Sequence, residues 1–154
     1  MIKNVIVLSK SEAEAKRFLD NDIIISIVNP GDRIANLLAN QDNIFRFTFS
    51  DILPSNKKCF PHHMENENSF HIEDAKTIVK IIIDFANLKE EYNLYVHCAA
   101  GISRSGAIGK WAFTHSEMSD AMFATINNQI HPNEWIWQLL CFVEEYELYK
   151  EAHQ

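Results

Sequence analysis

Cysteine is scarce: Cys59, Cys98 and Cys141 are three in 154 residues, an odd number at wide spacing. That excludes a disulfide framework and fits a reducing compartment in which a reactive thiol survives. No apolar run approaches the length needed to cross a bilayer. Near the N-terminus only Val5 to Leu8 is apolar before Ser-Glu-Ala-Glu-Ala-Lys-Arg, so a signal sequence is lacking and a cytoplasmic location is expected. Lys and Arg form no cluster and the formal net charge is −7. Nucleic acid and anionic lipid select clustered cations, so neither nucleic acid nor membrane is an expected partner. No segment has the composition of a disordered chain. The length suits one domain spanning residues 1–154.

What is there alternates between two periods. Ile2 to Leu8 and Ile23 to Val28 are short, β-branched apolar runs, which read as strands buried on both faces of a parallel sheet. Ser11 to Asp20 reads as a helix capped by Ser9 or Ser11, with Ala15, Phe18 and Leu19 facing inward. Asn29-Pro30-Gly31-Asp32 is a turn signal, followed by a short helical segment from Arg33 to Ala39. In Ile44 to Phe49 the residues Phe45, Phe47 and Phe49 alternate with polar ones, a third strand. Ser50 to Ser69 has no period and reads as one long loop. Ile72, Ala75, Val79, Ile82, Ile83 and Ala86 recur at helical spacing, with Ser69, Glu73 and Asp74 marking the start. A strand over Leu94 to His97 follows, then helices from Arg104 to about His115, Ser119 to about Asn128, and Pro132 to about Lys150, with Pro132 in the first turn. The alternation predicts an α/β fold, a central and mainly parallel sheet of four to five strands flanked by helices. Ligands bind such sheets beyond the carboxyl ends of the strands.

At one such end stands His97-Cys98-Ala99-Ala100-Gly101-Ile102-Ser103-Arg104-Ser105. Main-chain amides closing into a concave loop bind an oxyanion, and an arginine fork adds parallel charge-assisted hydrogen bonds. A thiol at the base of that loop feels the same positive field, which lowers its pKa from about 8.5 and leaves a nucleophilic thiolate. Gly101 allows the tight turn that points amides inward.

The window matches His-Cys-x-x-Gly-x-x-Arg-Ser/Thr at every fixed position. Ile126 to Leu140, with Pro132-Asn133 and Gln138-Leu139, is similar to the start of the last helix in dual-specificity-like phosphatases. The chain therefore resembles the cysteine-dependent protein tyrosine phosphatase superfamily, in particular its small bacterial-type and dual-specificity-like members. That resemblance implies a phosphotyrosine protein phosphatase-like fold, a phosphotyrosine-containing protein or peptide as substrate, a phosphocysteine intermediate, and neither cofactor nor metal. It implies Cys98 as nucleophile and a phosphate cradle of Ala99, Ala100, Gly101, Ile102, Ser103 and Arg104. Arg104 would grip the transition state, Ser105 would donate to the departing sulfur, His97 would orient the loop and Asn133 would support it from the last helix. Ser105 is also a serine suited to a helix start, and Asn133 is equally suited to capping its own helix.

A leaving oxygen needs an acid. The family takes it from an aspartate upstream of the cysteine, and the best match is Asp51 in Phe47-Thr48-Phe49-Ser50-Asp51-Ile52, directly after a strand. Asp51 stands further from Cys98 than is usual in the family, so Glu65 and Glu67, nearer that spacing, are rivals. His62, His63, Glu65 and His71 are too loosely set for a metal site. Cys59 is a candidate to trap Cys98 as a disulfide on oxidation. The loop residues Ala99, Ala100, Ile102 and Ser103 carry no positive charge, which disfavours polyphosphorylated lipid and triphosphate RNA substrates. Three activities remain distinct: a tyrosine or dual-specificity phosphatase, a catalytically weak module that only binds phosphoproteins, and a sulfurtransferase or arsenate reductase sharing the Cys-x₅-Arg spacing. The sequence sets no oligomeric state.

Overall fold

Two β-branched runs, the phenylalanine alternation and the segment before Cys98 become the strands β1 (Ile2–Ser9), β2 (Asp22–Val28), β3 (Ile44–Thr48) and β4 (Tyr92–Cys98). The computed structural model describes residues 1–53 and 68–153. Every pairing is parallel and the order is β1-β4-β2-β3. Within the expected four to five strands the described sheet has four, all parallel, in one α/β domain. The central strands are therefore β4 and β2, and every residue of β2 is buried, as its nearly continuous apolar run requires. Full burial of a side chain such as Ile25 or Ile27 contributes about 1.5–3 kcal/mol.

One face carries α2 (Ile72–Ala86), α3 (Arg104–Phe113) and α5 (Glu134–Ala152), whose apolar sides meet Val5, Ile23, Ile25, Leu94 and Val96. α4 (Asp120–Ile126), capped by Ser119, lies beside β1. The other face is covered by less: Ala13 of α1 (Lys10–Ala15), Phe18, Ala35 and Leu37 pack on Ile24 and Tyr95.

Five expectations change. α1 ends at Ala15, short of Asp20, with Ser9 as its cap in a reciprocal pair with Glu12. Ala13, not Ala15 or Leu19, faces inward, and Leu19 is exposed. The helix stops because Phe18 N donates to Leu38 O and Arg17 bridges Leu38, which turns the chain extended. The partner segment, residues 33–39, is accordingly not helical. Ala35 and Leu37 are buried while Ile34 and Leu38 are exposed, an alternation of period two that covers the sheet as well as a helix would. The last helix begins two residues later than Pro132, at Glu134: Asn133 is its cap, taking the Ile136 amide on Oδ1 at 3.0 Å. For α2 the cap is His71, whose amide donates to Asp74 Oδ2 at 3.0 Å, and Ser69 lies outside it.

At the β1 edge, backbone groups that a further strand would satisfy are met by side chains. Asn127 accepts from Val7 N at 2.8 Å and donates to Val5 O at 3.0 Å. Gln129 Nε2 donates to Val7 O at 3.1 Å. Buried polar backbone demands such partners, and these two residues tie the segment before α5 to the sheet edge next to the loop that follows β4.

Candidate active site

Between the end of β4 and the start of α3 the chain makes one tight loop, residues 99–103. Its carbonyls are held from outside. Lys10 N donates to Ala99 O, His131 N to Ile102 O, and Asn133 N to Ser103 O, at 3.2, 2.8 and 3.0 Å. Gln129 Nε2 reaches Gly101 O at 3.3 Å. With the carbonyls turned outward, amides are left to face the interior of the loop. Gly101 makes the turn at φ 72°, and a Cβ there would lie 2.6 Å from the Leu8 carbonyl carbon and Ser9 nitrogen. Only glycine fits that position.

Cys98 lies at the base of this loop, 2 % exposed, with Sγ 3.0 Å from Ser105 Oγ. Burial pushes the thiol pKa up, but the Ser105 hydroxyl and the backbone amides of Ser105, Gly101 and Ile102 outweigh it, and the thiol ends below its ordinary value. The α3 N-terminus adds its dipole in the same sense. Donors from its own loop thus favour the thiolate form of the sulfur.

Arg104 is buried at the first position of α3. One Nη donates to Asn29 Oδ1 at 2.6 Å and to Phe49 O at 2.9 Å. Those acceptors come from the turn after β2 and from the residue after β3. Phe49 is itself fixed by an edge-to-face contact with Phe70 at 4.8 Å. Nε of Arg104 is buried and has no hydrogen-bond partner among the described residues. A guanidinium anchored by one nitrogen, with Nε still to be satisfied, is prepared for an oxyanion.

His97 is fully buried, and Nε2 lies 2.6 Å from Ser26 Oγ on β2, with Nδ1 3.3 Å from Cys98 O. Burial is the main cause that lowers its pKa, so the ring is neutral. Since Cys98 O can only accept, Nδ1 carries the proton and Nε2 accepts from the serine hydroxyl. His97 is a neutral strut between the two central strands.

Asp51 reaches the same place from the other side. Its Oδ1 accepts from Ser103 Oγ at 2.9 Å and from Asn133 Nδ2 at 2.7 Å. Asn133 Nδ2 also donates to Ile52 O at 3.2 Å. The carboxyl group is exposed, and it is bonded to a residue of the cradle itself.

The structure therefore brings together Cys98, the 99–103 loop, Arg104, Ser105, His97, Asp51 and Asn133. Cys59, His62, His63, Glu65 and Glu67 lie outside the described residues, and His71 caps α2. Sequence reasoning missed Ser26, Asn29 and Gln129 as parts of the site. Ser26 had a signal, a hydroxyl inside an otherwise apolar strand, which when buried needs a partner. Asn29 was visible only as a turn residue, and Gln129 carried no signal.

The chain matches no protein-family model and has no significant match among curated proteins.

Proposed function

We propose that this chain is a cysteine-dependent protein tyrosine phosphatase, a member of the superfamily its Cys98 loop resembles, hydrolysing phosphate monoesters on tyrosine through a phosphocysteine intermediate. The observation that carries this reading is the convergence on Cys98 Sγ of the Ser105 hydroxyl and the Gly101 and Ile102 amides, beside a buried arginine with Nε unpartnered among the described residues. Thiolate and oxyanion would be stabilised by one loop. Among the described residues no helix is long and apolar enough to cross a membrane, and the net charge of −7 is unsuited to nucleic acid. Both features accord with a phosphoprotein substrate met in the cytoplasm.

In the first step the thiolate attacks phosphorus. The S–P bond forms as the bond to the leaving oxygen breaks, and Asp51, protonated, gives its proton to that oxygen. Arg104 and the loop amides hold the equatorial oxygens, where transition-state charge spreads. In the second step water attacks phosphorus and gives a proton to Asp51. The S–P electron pair returns to sulfur, and the Ser105 hydroxyl stabilises the departing thiolate. Among the described residues both donors to Asp51 sit on Oδ1, and the mechanism assigns the proton to Oδ2.

The test is phosphate release from a phosphotyrosine peptide by the native chain, Cys98→Ser and Asp51→Asn, from about pH 4 to about pH 8. Cys98→Ser abolishes release, and Asp51→Asn lowers kcat by about 10²- to 10⁴-fold and removes the alkaline limb. A native chain that holds the peptide without releasing phosphate defeats the enzyme reading and leaves a phosphoprotein-binding module.

A further inference from the structure

Beyond the catalytic loop, residues 33–46 enclose a second polar pocket of about 380 Å³. Arg33, Asn36, Gln41 and Arg46 supply its polar wall, and Ile34 and Leu37 its apolar one. Among the described residues no acidic side chain lines it. That is unusual for a protein with a net charge of −7. Among the described residues neither arginine has a carboxylate within ion-pair distance. The neighbouring acids are already hydrogen-bonded: Glu14 Oε2, behind the pocket wall, accepts from Asn36 N at 2.8 Å and Asp32 Oδ2 from Asn29 Nδ2 at 3.1 Å.

The Arg46 guanidinium and the Arg33 backbone are also held in place. Arg46 Nη1 donates to Ala35 O at 3.1 Å, which fixes its guanidinium over the pocket. Lys10 Nζ donates to Arg33 O at 2.9 Å, while Lys10 N donates to Ala99 O at 3.2 Å. One residue thus ties the pocket wall to the catalytic loop. Asn29, which grips Arg104, is four residues before Arg33, a span of at most about 14 Å.

We propose that this pocket is a second phosphoryl-binding site, taking a phosphorylated side chain that lies a few residues from the scissile phosphotyrosine on the same peptide. The proposal rests on the phosphatase reading of the Cys98 loop. Two guanidiniums with the side-chain amide of Asn36, and the second hydrogen of Gln41 Nε2, whose first goes to Ala39 O at 3.2 Å, offer more donors than a carboxylate can use. A phosphoryl group, with charge near −2 and three terminal oxygens, uses them. Ile34, 56 % exposed at the rim, receives the apolar stem of the side chain. An extended peptide advances about 3.3 Å per residue, so the second phosphoryl group belongs within about four residues of the first.

The experiment measures, by fluorescence anisotropy, binding of two peptides to full-length Cys98→Ser protein. One carries a single phosphotyrosine and the other a second phosphoresidue three positions away. The doubly phosphorylated peptide binds about five- to tenfold tighter, the scale of one or two charge-assisted pairs at a partly exposed site. Arg33→Gln with Arg46→Gln removes that preference and leaves the affinity for the singly phosphorylated peptide unchanged. Equal binding of the two peptides, or a preference that survives the double substitution, overturns the proposal. Adding inorganic phosphate separates the sources. Arg33 and Arg46 guanidinium resonances that saturate with free phosphate below the peptide's own Kd mean a free-anion site and overturn the substrate assignment. Turnover of a small aryl phosphate by the native chain and by Arg33→Gln/Arg46→Gln, without Cys98→Ser, is read separately. No turnover in either, with the peptide preference intact, defeats the phosphatase reading and spares the pocket.

Discussion

Asn133 Nδ2 lies 2.7 Å from Asp51 Oδ1, across 82 residues of sequence, while Oδ1 of the same asparagine takes the Ile136 amide at 3.0 Å. One amide side chain starts α5 and holds the candidate acid against the loop. Its backbone adds a third bond, from Asn133 N to Ser103 O. Capping and support, open alternatives from sequence alone, are both made by this residue.

The two roles separate by substitution. Asn133→Asp keeps an acceptor for Ile136 N but removes the donor to Asp51 and sets carboxylate against carboxylate. Asn133→Ala removes both. Asn133→Asp therefore lowers kcat by about tenfold or more with a melting temperature close to native. Asn133→Ala lowers kcat comparably and also costs about 1 kcal/mol of stability through the lost cap. Paired kinetics and denaturant melts check this, and equal stability of the two variants would refute the division.

Ser105 sets the pH dependence. The Cys98 thiol lies below its ordinary value although burial opposes this, because Ser105 and the loop amides favour the thiolate. Its folded pKa is thus below that of the unfolded chain. The linked stabilisation is full above the unfolded value and is lost as pH falls through the folded one. Ser105→Ala removes a hydrogen bond to a charged group, about 1.5–3 kcal/mol. The acid limb of turnover moves to higher pH and hydrolysis of the intermediate slows by about 10- to 100-fold. Ser105→Thr, which keeps the hydroxyl, restores most of both. Thiolate absorbance against pH and burst kinetics read the two effects.

Gly101 and Gly109 give a contrast in stability. A Cβ at Gly101 meets backbone atoms of Leu8 and Ser9 at 2.6 Å, on a residue at φ 72°. At Gly109 it meets the Val7 Cγ2 methyl at 2.6 Å, so there a buried side chain, and not backbone, must shift. Gly101→Ala costs more than the roughly 1–2 kcal/mol of left-handed strain alone and disables the loop. Gly109→Ala costs less and leaves turnover near native. Urea midpoints and kcat of both variants decide this.

The part of the site that was readable from sequence is the part made by one stretch of chain. Cys98 and Arg104 are held in register by the loop between them, so their spacing alone places them together. Asp51 was reachable because it follows a strand in a sheet whose strand ends share one edge. Ser26 and Asn29 were not, because their pairing with His97 and Arg104 depends on β2 lying next to β4, and strand order is a non-local property. Residues 33–39 failed for a different reason. Ile34, Ala35, Leu37 and Leu38 satisfy helical spacing and, through Ala35 and Leu37, strand alternation, and the Arg17–Leu38 bridge selects the second.

The last prediction concerns the strut beneath the loop. His97 is neutral because burial lowers its pKa, and its two nitrogens are committed, Nε2 to the Ser26 hydroxyl and Nδ1 to Cys98 O. Above the unfolded value of about 6.5 neither folded nor unfolded chain holds the extra proton, and His97 adds no pH dependence. As pH falls below it, the unfolded chain takes up a proton that the folded chain refuses, so stability declines until the folded pKa is reached. His97→Asn flattens that decline between about pH 6.5 and 5, and an unchanged slope in urea midpoints assigns the decline to another group. Ser26→Ala acts at every pH. It leaves Nε2 buried with no donor, a loss of about 1–3 kcal/mol, and it releases the ring whose other nitrogen holds the carbonyl of the nucleophile. Ser26→Ala therefore lowers stability at pH 7 and also lowers kcat, whereas a purely packing role for Ser26 would move stability alone.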